Sequence, residues 1–380
     1  MPSEEIVTVN CGGQAFRSWR SVSISCSIKE AARAFRLEVA AELGAAETFK
    51  VFKAGAEVEI LFNSDVVLKG YVDRYQPRIS AKDAQIAISG RSKSADLIDS
   101  AAEHPKGRFD EKNLKDIATT LAAKYDCEVT VSSGVEMEPI PHYQITPGET
   151  AFRAIERLAR SQGLAVMGKA DGGIEITKGG KKRHAGRIAE GDNLLVGEAD
   201  HNWSNRHSKY VVKGQRASGS NAENLEIEAV TKDEAVTRYR PTVIVVEEDT
   251  DRGRAKKRGE TRRNRAAGNA LRASVTLQGF RDDDGTVWEP NRLIFLESDF
   301  LQVTQDMLVE SITFGQDDRG GSTTKLSLVD PKAYDADSKS GSGKAKRGKK
   351  TARRGVNKSD KSWKVSVTPA EDTTGKSAVG

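Results

Sequence analysis

Three groups of residues have types that could do chemistry. His201 and His207 flank Trp203 in the stretch His-Asn-Trp-Ser-Asn-Arg-His, and paired imidazoles commonly begin a transition-metal site. Their spacing fits neither a helical nor a strand metal face cleanly, and no carboxylate follows in a ligand pattern, so no metal is expected there. Asp282-Asp283-Asp284-Gly285 gathers carboxylates that could attract calcium. It lacks the alternating Asp spacing and the closing Glu of a calcium loop, and reads as a hairpin turn. No Gly-x-Ser-x-Gly elbow occurs, and Ala217-Ser218-Gly219-Ser220 reads as a loop. Cys11, Cys26 and Cys127 show no CxxC spacing and read as buried free thiols. Acidic residues occur throughout without a distinctive apolar setting, so no glycosidase-type carboxylate pair stands out. The sequence nominates no catalytic, cofactor-binding or metal-binding residue.

The strongest electrostatic feature is the run Lys344, Lys346, Arg347, Lys349, Lys350, Arg353 and Arg354, followed by Trp363 as an apolar anchor. Such a cluster touches DNA or an acidic protein surface through charge attraction, or is a solvated terminus. Lys346, Arg347, Lys349, Lys350, Arg353, Arg354 and Trp363 are therefore the candidate partner-binding residues. A second cluster, Arg252 to Arg265, is interrupted by Glu260 and reads as a solvated helix face or a subunit contact. The 60 basic residues are nearly matched by 55 acidic ones, and a net charge of +5 does not by itself imply nucleic acid.

These residues sit in a chain of 380 residues, enough for two or three domains. A hydrophobic fraction of 37% beside a charged fraction of 30% suits a chain with much exposed or inter-subunit surface. No window approaches the roughly 18 to 20 uncharged apolar residues that span a bilayer. The opening Met1-Pro2-Ser3-Glu4-Glu5 is acidic rather than a basic signal region, so a soluble chain made in a cytoplasm is expected.

Period-two alternation marks the first hundred residues. Val58, Ile60 and Phe62 alternate with Glu57 and Glu59; Asn63-Ser64-Asp65 supplies a turn before Val66 to Leu68. Further strands are expected at Tyr71-Val72 and at Ile86 and Ile88, giving four short strands, with another at Phe35 to Val39 and a short helix over Ser27 to Ala32. From Asp110 the period becomes helical, with Leu114, Ile117, Ala118 and Leu121 on one stripe behind an Asn113 start signal. A strand is expected over Cys127 to Val131. A second helix is expected to begin with Thr146 as cap, Pro147 as first helical residue and Glu149 as capping-box partner, burying Phe152, Ile155, Leu158 and Ala159 and ending at Gly163. A hairpin follows around Asp171-Gly172-Gly173. Lys178 to Ala189 reads as a glycine-rich basic linker. Strands return from Asn193 onward to Leu328, interrupted by a charged helix over Arg252 to Arg272 that carries Leu271 inward.

The order of a Gly70-Tyr71-Val72-Asp73 strand, an Ile86-x-Ile88-x-Gly90-Arg91-Ser92 strand and an Asp96-Leu97-Ile98-Asp99 turn resembles the hub proteins of contractile phage tails, in particular the Mu-like tail hub family, which shares its architecture with the hub part of type VI secretion spike proteins. Glu149-Thr150-Ala151-Phe152, then Arg157-Leu158-Ala159-Arg160, then a Gly and a hairpin resembles the same family, as does the Leu326-Ser327-Leu328 strand with its Pro331 to Tyr334 exit. The resemblance covers about residues 1 to 335.

It implies a β-rich α+β chain with two small β-barrel tube-type domains, an inserted α/β module and a disordered basic C-terminal tail. The expected divisions are 1–100 for the first barrel, 101–186 for the module, 187–335 for the second barrel with its charged helix, and 336–380 for the tail. It also implies a structural, non-enzymatic homotrimer in the virion baseplate. That trimer adapts a hexameric tail tube above to a trimeric spike below and lines a channel for DNA, with other baseplate proteins as further partners. The absence of a long β-helical repeat favours a phage hub whose spike is a separate protein. Alternatives are a tail-tip protein that binds or hydrolyses peptidoglycan, the hub of a contractile secretion or tailocin-like particle, and a protein that binds DNA through its basic tail.

Overall fold

Alternating buried and exposed side chains build about half of the described residues into strands. The computed structural model describes residues 5–41, 49–80, 83–180, 182–215, 226–246, 250–318 and 320–334, all within the unit Met1–Gly341. The first segment holds β1 (Val7–Cys11), β2 (Gln14–Phe16), β3 (Ser21–Ser27), β4 (Ala34–Ala41), β5 (Glu57–Phe62), β6 (Asp65–Ile79) and β7 (Ala84–Ser92). The middle holds α1 (Ala95–Asp99), β8 (Arg108–Lys112), α2 (Leu114–Ala122), β9 (Val129–Val131), β10 (Ile140–Gln144), α3 (Ala151–Ser161), β11 (Ala165–Gly168) and β12 (Ile174–Thr177). The last part holds β13 (Lys182–Ala189), β14 (Leu194–His201), β15 (Lys209–Gln215), β16 (Glu226–Lys232), β17 (Pro241–Val246), α4 (Arg252–Gly268), β18 (Leu271–Gln278), β19 (Arg292–Ser298), β20 (Val303–Asp317) and β21 (Gly321–Val329).

Thirteen strands from the two ends of the chain form one continuous sheet in the order β14-β18-β21-β20-β3-β4-β7-β6-β5-β1-β2, with β19 beside β20 and β13 beside β19. The two halves repeat one plan. β5, β6 and β7 run 6, 15 and 9 residues; β19, β20 and β21 run 7, 15 and 9. Each long strand carries a bulge at the corresponding place, between Val72 and Arg74 in β6 and between Val309 and Ser311 in β20. The extra residue is acidic both times and takes up a cation: Asp73 meets Arg91 at 2.8 Å, and Glu310 meets Lys29 at 2.7 Å and Arg272 at 3.1 Å. A single antiparallel joint, Ser311–Asp317 against Ser27–Ser21, fuses the halves. Their cores merge there too, with Phe62 4.2 Å from Phe280 and 5.0 Å from Phe314 between ring centroids.

The middle segment has its own core. Leu114, Ile117, Ala118 and Leu121 of α2 pack with Ala151, Phe152, Ile155 and Leu158 of α3 over Val129, Val166, Ile174 and Ile176. β12 pairs antiparallel with β11 and parallel with β9. A third core lies under α4, where Ala255 meets Val212, Ile227, Ala229 and Val246 on a separate three-stranded sheet, β16-β15-β17.

Several expectations are corrected. Ser27 to Ala32 is not a helix: the segment's backbone bonds outward, with Arg33 N–H to Ser92 Oγ at 2.9 Å, Gly168 N–H to Glu30 O at 3.1 Å and Ser94 Oγ donating to Ala31 O at 2.6 Å. The strands expected at Val66 and at Tyr71 are one strand, because Gly70 lets β6 continue past β7 where a Cβ would fall 1.9 Å from Arg91 O. The cap of α3 is Thr150, which accepts from Arg153 N–H at 3.3 Å. Gly148 at φ +84° makes Thr146 to Glu149 a turn instead, although Glu149 still accepts from Thr146 N–H at 2.7 Å. Lys178 to Ala189 is not all linker, since β13 pairs parallel with β19. Leu271 opens β18 instead of closing the helix, and β15 to β17 stand apart from the large sheet.

Candidate assembly surfaces

The stretch Gly90 to Asp99 works as a latch. Arg91 bridges Asp73 at 2.8 Å and Asp99 at 2.6 Å, and Lys93 reaches Asp126 at 2.7 Å and Glu57 at 3.1 Å. The carboxylates raise both cations further above their ordinary range, with Asp99 leading for Arg91 and Asp126 for Lys93. Ser92 Oγ and Ser94 Oγ share a hydrogen bond at 2.8 Å beneath them. Arg33 is buried at the same junction and donates to Val67 O at 3.0 Å and Gly168 O at 3.4 Å, tying the first sheet to the middle segment. Buried charge spent on backbone carbonyls in this way orients elements.

The residues nominated for chemistry fall elsewhere. His201 Nε2 bonds Leu301 O at 2.9 Å, while His207 lies against Tyr210 and Arg206 stacks on Trp203 at 4.5 Å. The two histidines do not converge, and among the described residues no group of three or more His, Cys, Asp or Glu could hold a metal. Asp282 organises its turn by accepting from Thr286 N–H at 2.9 Å and Ala185 N–H at 3.1 Å and pairing with buried His184 Nδ1 at 2.9 Å. Burial opposes ionisation of this carboxyl, but those three bonds outweigh it and hold Asp282 below the usual range. All three thiols are buried, and burial pushes them up, Cys127 to about 12, so each stays protonated at neutral pH. Lys346, Arg347, Lys349, Lys350, Arg353, Arg354 and Trp363 lie outside the described residues. Among the described helices none is long and apolar enough to cross a membrane.

What the surface offers instead is open strand edge. Among the described residues β14 pairs with β18 alone, and its outer edge carries no strand. β6 is covered by β7 along Gly70–Ile79, but β5 covers its other edge only to Tyr71. Leu195 is 54% exposed and Val196 64% on the first edge, and Ile79 is 74% exposed on the second. Phe300, 85% exposed, stands beside β14 on the β19–β20 turn. A third apolar strip, Val230, Val243 and Val245, faces out from the small sheet, and α4 shows Arg254, Arg258 and Arg262 at four-residue spacing along an exposed side. Unpaired edges and exposed apolar strips mark contact with other chains.

Three family models match successive segments: Mu phage baseplate assembly protein GpP-like, N-terminal, over residues 6–92; baseplate hub protein gp44-like, second domain, over 94–178; and Mu phage baseplate assembly protein GpP, fourth domain, over 251–337. Baseplate hub protein gp44 of Escherichia phage Mu is 27% identical over 333 residues, covering 85% of this chain and 87% of that protein. The crystal structure of a 43 kDa tail protein from prophage MuSo2 of Shewanella oneidensis superposes with a TM-score of 0.76 at 31% identity, covering 87% of this chain and 99% of that one. The chain belongs to the Mu-like baseplate hub family.

The fold of this Mu-like hub reaches beyond phages. An E. coli component of the type VI secretion system, described as structurally similar to T4 tail proteins gp27 and gp5, matches with a TM-score of 0.54 at 9% identity over 84% of this chain and 76% of that one. In the hub the latch falls where the first two matched segments meet, between residues 92 and 94, and β13 to β17 lie in the stretch between the second and third. Sequence reasoning placed a strand at Leu195 without marking it as an edge, and ended the Tyr71-Val72 strand short of Ile79, which β6 reaches. The apolar run Leu194-Leu195-Val196 was the available signal, but an edge is known to be open only once every other strand is placed, and β14's partner β18 lies 70 to 83 residues further along the chain.

Proposed function

We propose that this Mu-like hub acts as a homotrimeric ring in the virion baseplate, adapting a hexameric tail tube above to a trimeric spike below and enclosing a channel for DNA. The observation that carries the reading is the internal repeat: one chain supplies two β5-β6-β7-like units side by side in one sheet, joined through β3 and β20. Three such chains supply six like units, and a sheet open at both ends answers its exposed edges by meeting neighbours in a closed ring. The divisions 1–100, 101–186, 187–335 and 336–380 serve this scheme as two ring-forming parts, a module held by the latch, and a basic tail that docks on the spike or another baseplate subunit. The role is geometric and uses no catalytic residue; assembly takes place in the host cytoplasm.

Light scattering across a concentration series tests the ring. A subunit of 41.3 kDa and its trimer differ threefold in mass, and a monomer at every concentration, with or without spike and tube proteins, contradicts the reading. Digestion of purified cell wall is the result that would instead favour a tail-tip hydrolase.

A further inference from the structure

The two repeats of this chain match strand for strand and register for register. In the first repeat Arg74 lies opposite Ser89, Ser89 opposite Arg36, and Arg36 opposite Ser23. In the second, Ser311 lies opposite Ser327, Ser327 opposite Ser274, and Ser274 opposite Glu198. β6 therefore corresponds to β20 and β3 to β14, with Arg74 matching Ser311 and Ser23 matching Glu198. β20 uses the edge beyond its bulge to pair with β3, placing Gly315 opposite Ser23. The matching edge of β6, beyond Asp73, and the matching edge of β14 both carry no strand among the described residues.

We propose that β14 of one copy pairs antiparallel with the Arg74–Ile79 part of β6 in the next copy, repeating the β3–β20 joint between chains. Carried over residue by residue, Gly315 opposite Ser23 becomes Arg78 opposite Glu198, Gln76 faces Asp200, and Ile79 faces Gly197 with Leu195 and Ala199 on its diagonals. The free edges have complementary charge: Arg74 and Arg78 on one, Glu198 and Asp200 on the other. Among the described residues none of the four makes an ion pair, and opposite charges set across a strand pair stabilise it. Their exposed apolar residues, Ile79 against Leu195 and Val196, fall at the same seam.

The main-chain phase agrees as well. Ser80 N–H bonds Asp83 O at 2.8 Å and Asn202 N–H bonds Ala270 O at 2.8 Å, and bonded residues alternate along an antiparallel ladder. Tyr75, Pro77 and Ile79 thus turn their main-chain groups away from β7, while Gly197, Ala199 and His201 turn theirs away from β18. These are the residues that the register sets face to face. Pro77 lacks one donor, which weakens this edge as a template for arbitrary strands while leaving the flanking bonds of Tyr75 and Ile79.

The contact rests on the trimeric-ring reading and is head-to-tail, since each chain gives one edge of each kind. It is tested on the full chain with Arg78→Cys and Glu198→Cys combined. The pair sits at a non-bonded ladder position about 4.5 Å apart in Cα, within disulfide reach, and the three native thiols are buried. Oxidation is expected to give covalent dimers and trimers on a denaturing gel, with neither single variant linking. In parallel, Arg78→Glu is expected to raise the dissociation midpoint of the trimer about tenfold or more, and adding Glu198→Arg to restore it to within about threefold. A wild-type trimer that neither cross-links nor responds to Arg78→Glu overturns this contact and leaves the ring reading standing. A wild-type chain that stays monomeric and uncross-linked overturns both. Product that stops at dimer overturns the head-to-tail path.

Discussion

Replacing Gly70 or Gly90 by Ala should damage the hub far more than a small methyl group suggests. The two glycines face each other's strands where β6 crosses β7 at its bulge. A Cβ on Gly70 would lie 1.9 Å from Arg91 O, and one on Gly90 would lie 2.0 Å from Tyr71 O. Since real Cβ contacts essentially never fall below 3.0 Å, the strands must part locally by about an ångström. Paired strands sit about 4.8 Å apart, so that shift stretches the neighbouring N–H···O bonds past useful length. Two lost ladder bonds at about 1 kcal/mol each, with about 1 kcal/mol or more of overpacking strain, give about 3 kcal/mol. Urea unfolding at fixed protein concentration measures it as a lowered midpoint with an unchanged slope. Gly315→Ala on β20 is the control: its Cβ would meet Thr323 Oγ1 at 3.5 Å and Thr323 O at 4.0 Å, both ordinary contacts, and an alanine in a strand is neutral or stabilising there by about 0.5 kcal/mol. A loss below about 1 kcal/mol for Gly70→Ala, or equal losses at Gly70 and Gly315, refutes the argument that close backbone crossing explains the glycines.

Phe62→Ala should cost about 3–5 kcal/mol, because Phe62 is fully buried between the rings of Phe280 and Phe314 where the halves meet; chemical denaturation reads it, and a loss near zero contradicts a shared core. Asp282 has a folded pKa below its unfolded one, so its contribution is present above about pH 4 and is lost as pH falls through the depressed value. Acid unfolding of wild type set against Asp282→Asn should show the gap closing below that pH, and a gap independent of pH counts against the charge. Deleting residues 336–380 should leave the ring's mass threefold that of the subunit while weakening recovery of the spike in co-purification; unchanged recovery sinks the docking role of Lys346 to Trp363.

Much of the fold was legible wherever one segment decides its own structure. The Val58, Ile60 and Phe62 alternation gives β5, the Leu114 to Leu121 stripe gives α2 behind its Asn113 cap, and Asp171-Gly172-Gly173 gives the β11–β12 hairpin. Local signals misled where a distant partner decides. β13 looks like linker, with Gly186 in the left-handed region, and becomes a strand only because β19 lies beside it. Gly70 reads as the start of a separate strand and is a crossing point within one long strand. Thr146 and Pro147 read as a helix start, yet Gly148 turns the chain first. The repeat relating β5-β6-β7 to β19-β20-β21 was legible only through the family resemblance, because strand lengths and bulge positions match while the side chains do not. For the same reason the assembly surface escaped direct reading: an open edge is defined by what fails to pair with it.

The joint between β3 and β20 also sets a timetable. Its partners are about 290 residues apart in the chain, from Ser27 with Ser311 to Ser21 with Asp317. At about 5–20 residues per second on the ribosome, roughly 15 to 60 s separate the emergence of β3 from that of its mate. During that interval the β3 edge that β20 occupies in the folded chain has no partner from its own chain, and an unpaired edge is a template for a strand from another chain. Strand exchange between chains is thus the expected failure of this joint, and slowing elongation after β7 should raise the yield of strand-exchanged pairs.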